Sequence, residues 1–233
     1  MKESQADIER QVREYLFSQR DEEYRRFSLS LMPTVDGSRV IGVRVPLIRK
    51  YARTMTPEHA AEFMSCRHFY HEEKYLHGAL ICFMRDPCAI IDELERFLPC
   101  VDNWAVCDGL RPKALLKHTD ALYPKILEWI SSEHEYTVRF AIGLLCSFYL
   151  GDAFSEDHLS LVGGVNRDEY YVKMMAAWYF AEAAARVGEC AVGYIERGDM
   201  PIDVRKSAIK KARESFKISK ETKQRLSSFA KGL

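Results

Sequence analysis

The sequence predicts an all-α fold, and three observations carry that prediction. Apolar residues recur at three- and four-residue spacing through most of the chain, the period of a helix with one buried face. Prolines and glycines fall between those segments, not inside them. A single passage, "RVIGVRV" at 39–45, reads as strand-like, and it is too isolated to build a sheet.

Taken in order, the opening "MKESQADIERQVREYLFSQRDEEYRRF" is charged and helical in pattern, with no apolar h-region of a signal peptide. Helices are expected at 21–32, 46–54, 57–65, 71–85, 88–98 and 103–117, then at 120–131, 135–150, 155–163, 168–187, 189–197 and 202–215. The only long loop-like passage is "PTVDGSRVIGVRVP" at 33–46. Breakers such as "RDP" at 85–87, "TD" at 119–120 and "RGDMP" at 197–201 end helices, since proline and glycine cannot continue them.

The 233 residues suffice for one large domain or a repeat array, and 47% hydrophobic with 29% charged content is an ordinary soluble composition. No apolar run approaches the roughly 20 residues of a membrane span. Seven cysteines, none in a CxxC pair, point to reduced thiols in a cytosol and away from disulfides or a metal site. Lysine plus arginine equals aspartate plus glutamate, 34 of each, so the formal net charge is zero. The distribution is uneven. From Asp203 to Leu233 there are ten basic and three acidic residues, a local excess of seven positive charges on an otherwise acidic chain. The segment "DVRKSAIKKARESFKISKETKQRL" is either a solvated helix face or an electrostatic footprint for an anion such as a nucleic-acid backbone.

A weak internal repeat supports the second reading. "YTVRFAI" at 136–142, "YYVKMMA" at 170–176 and "PIDVRKSA" at 201–208 each place a valine before a basic residue. The valines are Val138, Val172 and Val204, and the basic residues are Arg139, Lys173 and Arg205. Earlier members of the series fall on Val106 and Leu76. The chain therefore reads as five or six helical hairpins, an α-solenoid of HEAT-like repeats forming one domain over 1–233. Equivalent positions of a solenoid line up along one concave face, so Arg139, Lys173 and Arg205 are expected to form a basic stripe in a groove. The basic segment, with Lys206, Lys210, Lys211 and Arg213, extends it.

The stretch "VDNWAVCDGL" at 101–110 carries the chemistry. Trp104 and Asp108 are four residues apart and share a helix face. The repeat period carries Trp104, Arg139 and Trp178 onto successive inner helices, where they are expected to meet in one cleft. Each has a plainer explanation: a core tryptophan, an Asp108–Arg111 surface ion pair, or an Arg139 that neutralises Asp108. Together they suit cleavage of an N-glycosidic bond. That reaction builds positive charge on the sugar, which a carboxylate stabilises while orienting water. Aromatic faces pack on the cationic sugar, and an arginine holds a flanking phosphate.

Several passages in order resemble the AlkD-like DNA alkylation repair family of HEAT-like-repeat DNA glycosylases. They are "VIGVRVPLIRKYA" at 40–52 for a "G-[IV]-x-x-P-x-x-R" element, "HEEKYLHGALICFM", "WAVCD", "VRFAIGLL", "KMMAAWYFAEAA" and "VRKSAIKKARESF", spanning roughly 20 to 220. The resemblance implies that Asp108 is the catalytic aspartate. Trp104 and Trp178 would contact the lesion nucleotide, and Arg139 would serve the aspartate and the DNA. It implies a monofunctional glycosylase that excises cationic N3- and N7-alkylated purines without extruding the base, and that needs no metal or organic cofactor. The partner would be double-stranded DNA, the protein a cytosolic monomer acting at the nucleoid. An N-terminal tyrosine used by some members has two candidate counterparts, Tyr24 and Phe27. Two other readings stand beside this one: a DNA-structure-binding protein without excision, and a protein-interaction solenoid scaffold.

Overall fold

A computed structural model describes residues 5–230. Among the described residues there is no strand; fourteen α-helices joined by short turns make up the fold. Among the described residues no helix is long and apolar enough to cross a membrane, and the seven cysteines, all described, are free thiols. The chain divides into two compact units, Met1–Leu115 and Leu116–Leu233.

The first unit holds α1 (Gln5–Ser18), α2 (Glu22–Leu31), α3 (Val45–Ala52), α4 (Pro57–Met64), α5 (His71–Phe83), α6 (Pro87–Phe97) and α7 (Trp104–Gly109). Their starts are written in the sequence. Asp21, Thr56, Asp86 and Asn103 each accept a backbone N–H of the first turn, and Pro57 and Pro87 open α4 and α6. Helix α5 is the centre, packed against α1, α3, α4, α6 and α7. It is buried from Glu72 to Ile81 and therefore carries three buried charges in succession. Each has partners, as a buried charge must. Glu72 accepts the N–H groups of Ile41, Gly42 and Val43 at 3.0, 2.7 and 3.2 Å. Glu73 takes Arg13 at 2.7 Å and two backbone N–H groups, and Lys74 reaches Asp102 at 2.5 Å.

This explains the strand-like passage at 39–45. Between the 3-10 turn at Gly37–Arg39 and the start of α3 at Val45, the N–H groups of Ile41, Gly42 and Val43 are satisfied by a buried carboxylate instead of a neighbouring strand, so no sheet is needed. Gly42 sits at φ 95°, where a Cβ would lie 2.5 Å from that of Arg25; this position requires glycine.

The second unit holds α8 (Thr119–Ile130), α9 (Glu135–Leu144), α10 (Asp157–Gly163), α11 (Tyr170–Arg186), α12 (Glu189–Arg197), α13 (Ile202–Glu214) and α14 (Lys220–Ala230). Helix α11 lies between α9 and α13, while α12 packs on α14 and α8 on α9. Alternate helices thus touch: α9 with α11, α11 with α13, and α12 with α14. Arg225 of α14 fastens α12 by gripping Glu189 at 2.9 Å and Glu196 at 2.5 Å.

One expected helix ends early. The segment 103–117 stops at Gly109, because Pro112 cannot continue it, and resumes as a 3-10 turn at Lys113–Lys117. The helix expected over 202–215 forms as α13, and the rest of the basic segment makes a separate helix, α14. Lys231, counted in the basic excess, lies outside the described residues.

Candidate active site

Trp104 opens α7 and Asp108 closes its last turn, so both project from one face of a six-residue helix. Both are half-buried. The helix is held at each end. At its start the Asn103 side chain accepts the N–H of Val106 at 3.0 Å and donates to Asp102 at 3.0 Å. At its finish the carbonyl of Gly109 accepts from Arg49 at 3.3 Å, and Arg49 also reaches the Tyr75 hydroxyl at 3.4 Å. A Cβ at Gly109 would come within 2.8 Å of that hydroxyl. The Nε–H of Arg49 is buried and has no acceptor.

Trp104 also ties α7 to α2. Its indole N–H donates to the Leu31 carbonyl at 3.0 Å, which satisfies an orphan acceptor at the C-terminus of α2. Helix α2 buries none of its residues. It carries both candidates for the N-terminal aromatic, Tyr24 and Phe27, with ring centroids 6.3 Å apart. The Arg44 guanidinium lies 4.9 Å from the Tyr24 ring and pairs with Asp21 at 2.8 Å. Phe27 is the more exposed of the two aromatics, at 58%.

The other predicted residues belong to the second unit. Arg139 on α9 is buried; it donates to the Tyr171 carbonyl at 2.6 Å, and its guanidinium lies 6.0 Å from the Tyr171 ring. Trp178 on α11 is 47% exposed, with the Lys211 ammonium 4.8 Å from the ring centre. Burial pushes the Lys211 ammonium below its usual range; Glu214 opposes this, and the charges of Arg139 and Lys210 add to it. Arg139, Trp178 and Lys211 therefore form one aromatic and cationic group.

The row of basic residues at equal repeat phase is engaged inside the protein. Lys173 pairs with Asp203 at 2.7 Å and Asp168 at 3.3 Å, and both contacts raise its pKa. Arg205 is buried beneath Gly198 and donates to the carbonyls of Ile195, at 2.7 Å, and Glu196. It closes the C-terminus of α12, and its guanidinium lies 4.4 Å from the Phe229 ring. Lys206, Lys210 and Arg213 are exposed at i, i+4 and i+7, so they line one solvent face of α13.

Arg49 and Tyr75 are the site-forming residues without an assigned role in the sequence reading. The signal for Arg49 was present, since it is the arginine of "GVRVPLIR". Among the described residues no group of three His, Cys, Asp or Glu side chains could hold a metal ion.

The first unit thus carries an acid and a tryptophan on one short, held helix, and the second carries a solvent-facing row of cations on α13. The family model described as DNA alkylation repair enzyme matches residues 8–215, and the chain belongs to that family. No curated protein matches the chain.

Proposed function

We propose that the protein is a monofunctional DNA glycosylase that excises cationic N3- and N7-alkylated purines. The observation that carries this reading is the placement of Trp104 and Asp108 one turn apart on α7, a helix pinned at both ends. Membership of the DNA alkylation repair enzyme family supports it. The C1′–N bond breaks with its electron pair leaving on the purine, which departs neutral because alkylation had already made it cationic. The sugar is left oxocarbenium-like. Asp108 stabilises that charge and orients the water that adds at C1′, and the water's proton passes through the carboxylate to solvent. Trp104 and Trp178 pack on the lesion nucleotide, and Arg139 serves the aspartate and the flanking phosphate. Lys206, Lys210, Lys211 and Arg213 carry most of the backbone contact, with Lys173 and Arg205 secondary because their charges are already engaged.

The same reading takes the whole chain as one array of HEAT-like hairpins with a basic groove, supported by the alternate-helix packing inside each unit. It acts as a cytosolic monomer on duplex DNA and needs no cofactor.

The test is release of 7-methylguanine and 3-methyladenine from methylated duplex DNA by the pure protein. Asp108→Asn is expected to reduce it by roughly 100-fold or more, the usual cost of losing one preorganised electrostatic group, with DNA affinity retained. Tight binding without release by the wild type would instead make this a DNA-structure-binding protein.

A further inference from the structure

Beyond the residues matched to the family lies Phe216, whose side chain is fully exposed at 102%. It stands in the turn between α13 and α14, and the turn is held. Ala212 and Ile218 are buried on either side of it, the Ser215 hydroxyl accepts the N–H of Lys217 at 3.2 Å, and Lys217 pairs with Glu182 of α11 at 2.8 Å. The chain thus anchors both flanks of the phenyl ring and leaves the ring in water. A large aromatic held in this way is unusual on a surface that only needs solubility.

Its position gives the ring a purpose. Glu182 lies one turn along α11 from Trp178, on the same face. Glu182 is about 6 Å further along the helix axis than Trp178 by the 1.5 Å rise per residue, and Phe216 is the chain neighbour of the lysine that grips it. The exposed cations Lys210 and Arg213 run along α13 towards the same turn. Of the acids close by in the chain, Glu214 and Glu221 are exposed, and Glu182 of α11 is paired with Lys217. A bare aromatic ring at the end of a row of cations fits a polyanion that offers flat apolar faces, which is the chemistry of a base-stacked nucleic acid.

We infer that Phe216 is a DNA-stacking wedge, inserting at a base step in the duplex that flanks the lesion while Arg213 and Lys210 hold the adjoining phosphates. This rests on the DNA reading above and adds to it a contact outside the lesion site. Such a wedge partly unstacks one step and lets the duplex bend onto the protein.

The experiment is a binding titration of wild type, Phe216→Ala and Phe216→Trp on a duplex with 2-aminopurine placed at successive steps beside the lesion position, repeated over a range of salt. Phe216→Ala is expected to melt like the wild type, to bind roughly tenfold more weakly, the range of one base–aromatic stack, and to keep the same salt slope. It should also lose a 2-aminopurine fluorescence change that Phe216→Trp preserves. Equal affinity and an equal fluorescence response for wild type and Phe216→Ala would overturn the wedge and leave the glycosylase reading intact. No duplex binding by the wild type at low salt would overturn both.

Discussion

The Lys211 ammonium of α13 lies 4.8 Å from the centre of the Trp178 ring on α11. The contact joins two helices, and it places a cation over the one tryptophan of the second unit's candidate site that is largely exposed. Burial disfavours that cation; Glu214 offsets part of this, and the charges of Arg139 and Lys210 add to it. A DNA phosphate would relieve this. Lys211→Met is therefore expected to weaken duplex binding several-fold and to lower the salt slope by about one, the signature of one lost phosphate contact. Anisotropy titrations across a salt series measure both quantities.

Gly109→Ala tests how α7 is held. The new methyl would press on the Tyr75 ring at 2.8 to 2.9 Å, so α7 or Tyr75 must shift. Overpacking of this kind costs about 1–3 kcal/mol in stability. The displacement acts directly on the last turn of α7, next to Asp108. Base release is expected to fall by tenfold or more at a temperature where the variant is fully folded by circular dichroism. Unchanged single-turnover rates would show that Asp108 does not depend on this packing.

Arg205 and the exposed face of α13 should separate stability from binding. Arg205→Ala removes the buried guanidinium that closes α12, leaving two carbonyls to find other donors. A loss of about 2–4 kcal/mol is expected in urea denaturation, with little change in salt slope. The triple variant Lys206→Ala, Lys210→Ala, Arg213→Ala should behave oppositely. It keeps its melting temperature within a few degrees and lowers the salt slope by up to about three.

His68 gives a pH dependence with a definite sign. Its Nε2 lies 2.8 Å from Nδ1 of His77, and the ring stacks on Phe63 with centroids 4.6 Å apart. Burial, followed by the charges of His77, Lys74 and Arg13, pushes His68 from its ordinary 6.5 down to about 3. Between those values the unfolded chain binds a proton that the folded chain refuses. The stability is therefore complete above pH 6.5 and is lost progressively as pH falls towards 3. His68→Phe retains the stacking and removes the titration. Its urea midpoint should fall less steeply between pH 6.5 and 4.5 than that of the wild type; parallel slopes would refute the assignment.

Much of the fold was legible because helical periodicity and capping are local. Asp21, Thr56, Asp86 and Asn103 mark their helix starts, and proline or glycine marks several ends, as at Pro33, Gly109, Gly188 and Gly198. The passage at 39–45 was ambiguous for a long-range reason. What satisfies its backbone is Glu72, some 30 residues away, and no local pattern announces a buried carboxylate. The candidate site was legible in part. The Trp104 and Asp108 pair follows from spacing alone, since i and i+4 on a helix are neighbours wherever the helix sits. Arg49 and Tyr75 escaped assignment because they meet Gly109 only when α3, α5 and α7 pack together.

The sequence by itself determined the helical class, the helix-face pairing of Trp104 with Asp108, and the phase at which Arg139, Lys173 and Arg205 recur. Tertiary structure decided what those cations do. Phase specifies which way a side chain leaves its helix, and it says nothing about what stands opposite. For Arg139 and Arg205 that is a backbone carbonyl in the interior, and for Lys173 a pair of aspartates. The solvent face of α13 was left to Lys206, Lys210 and Arg213, because Val204, Ala208, Ile209 and Ala212 on the same helix turn to the core.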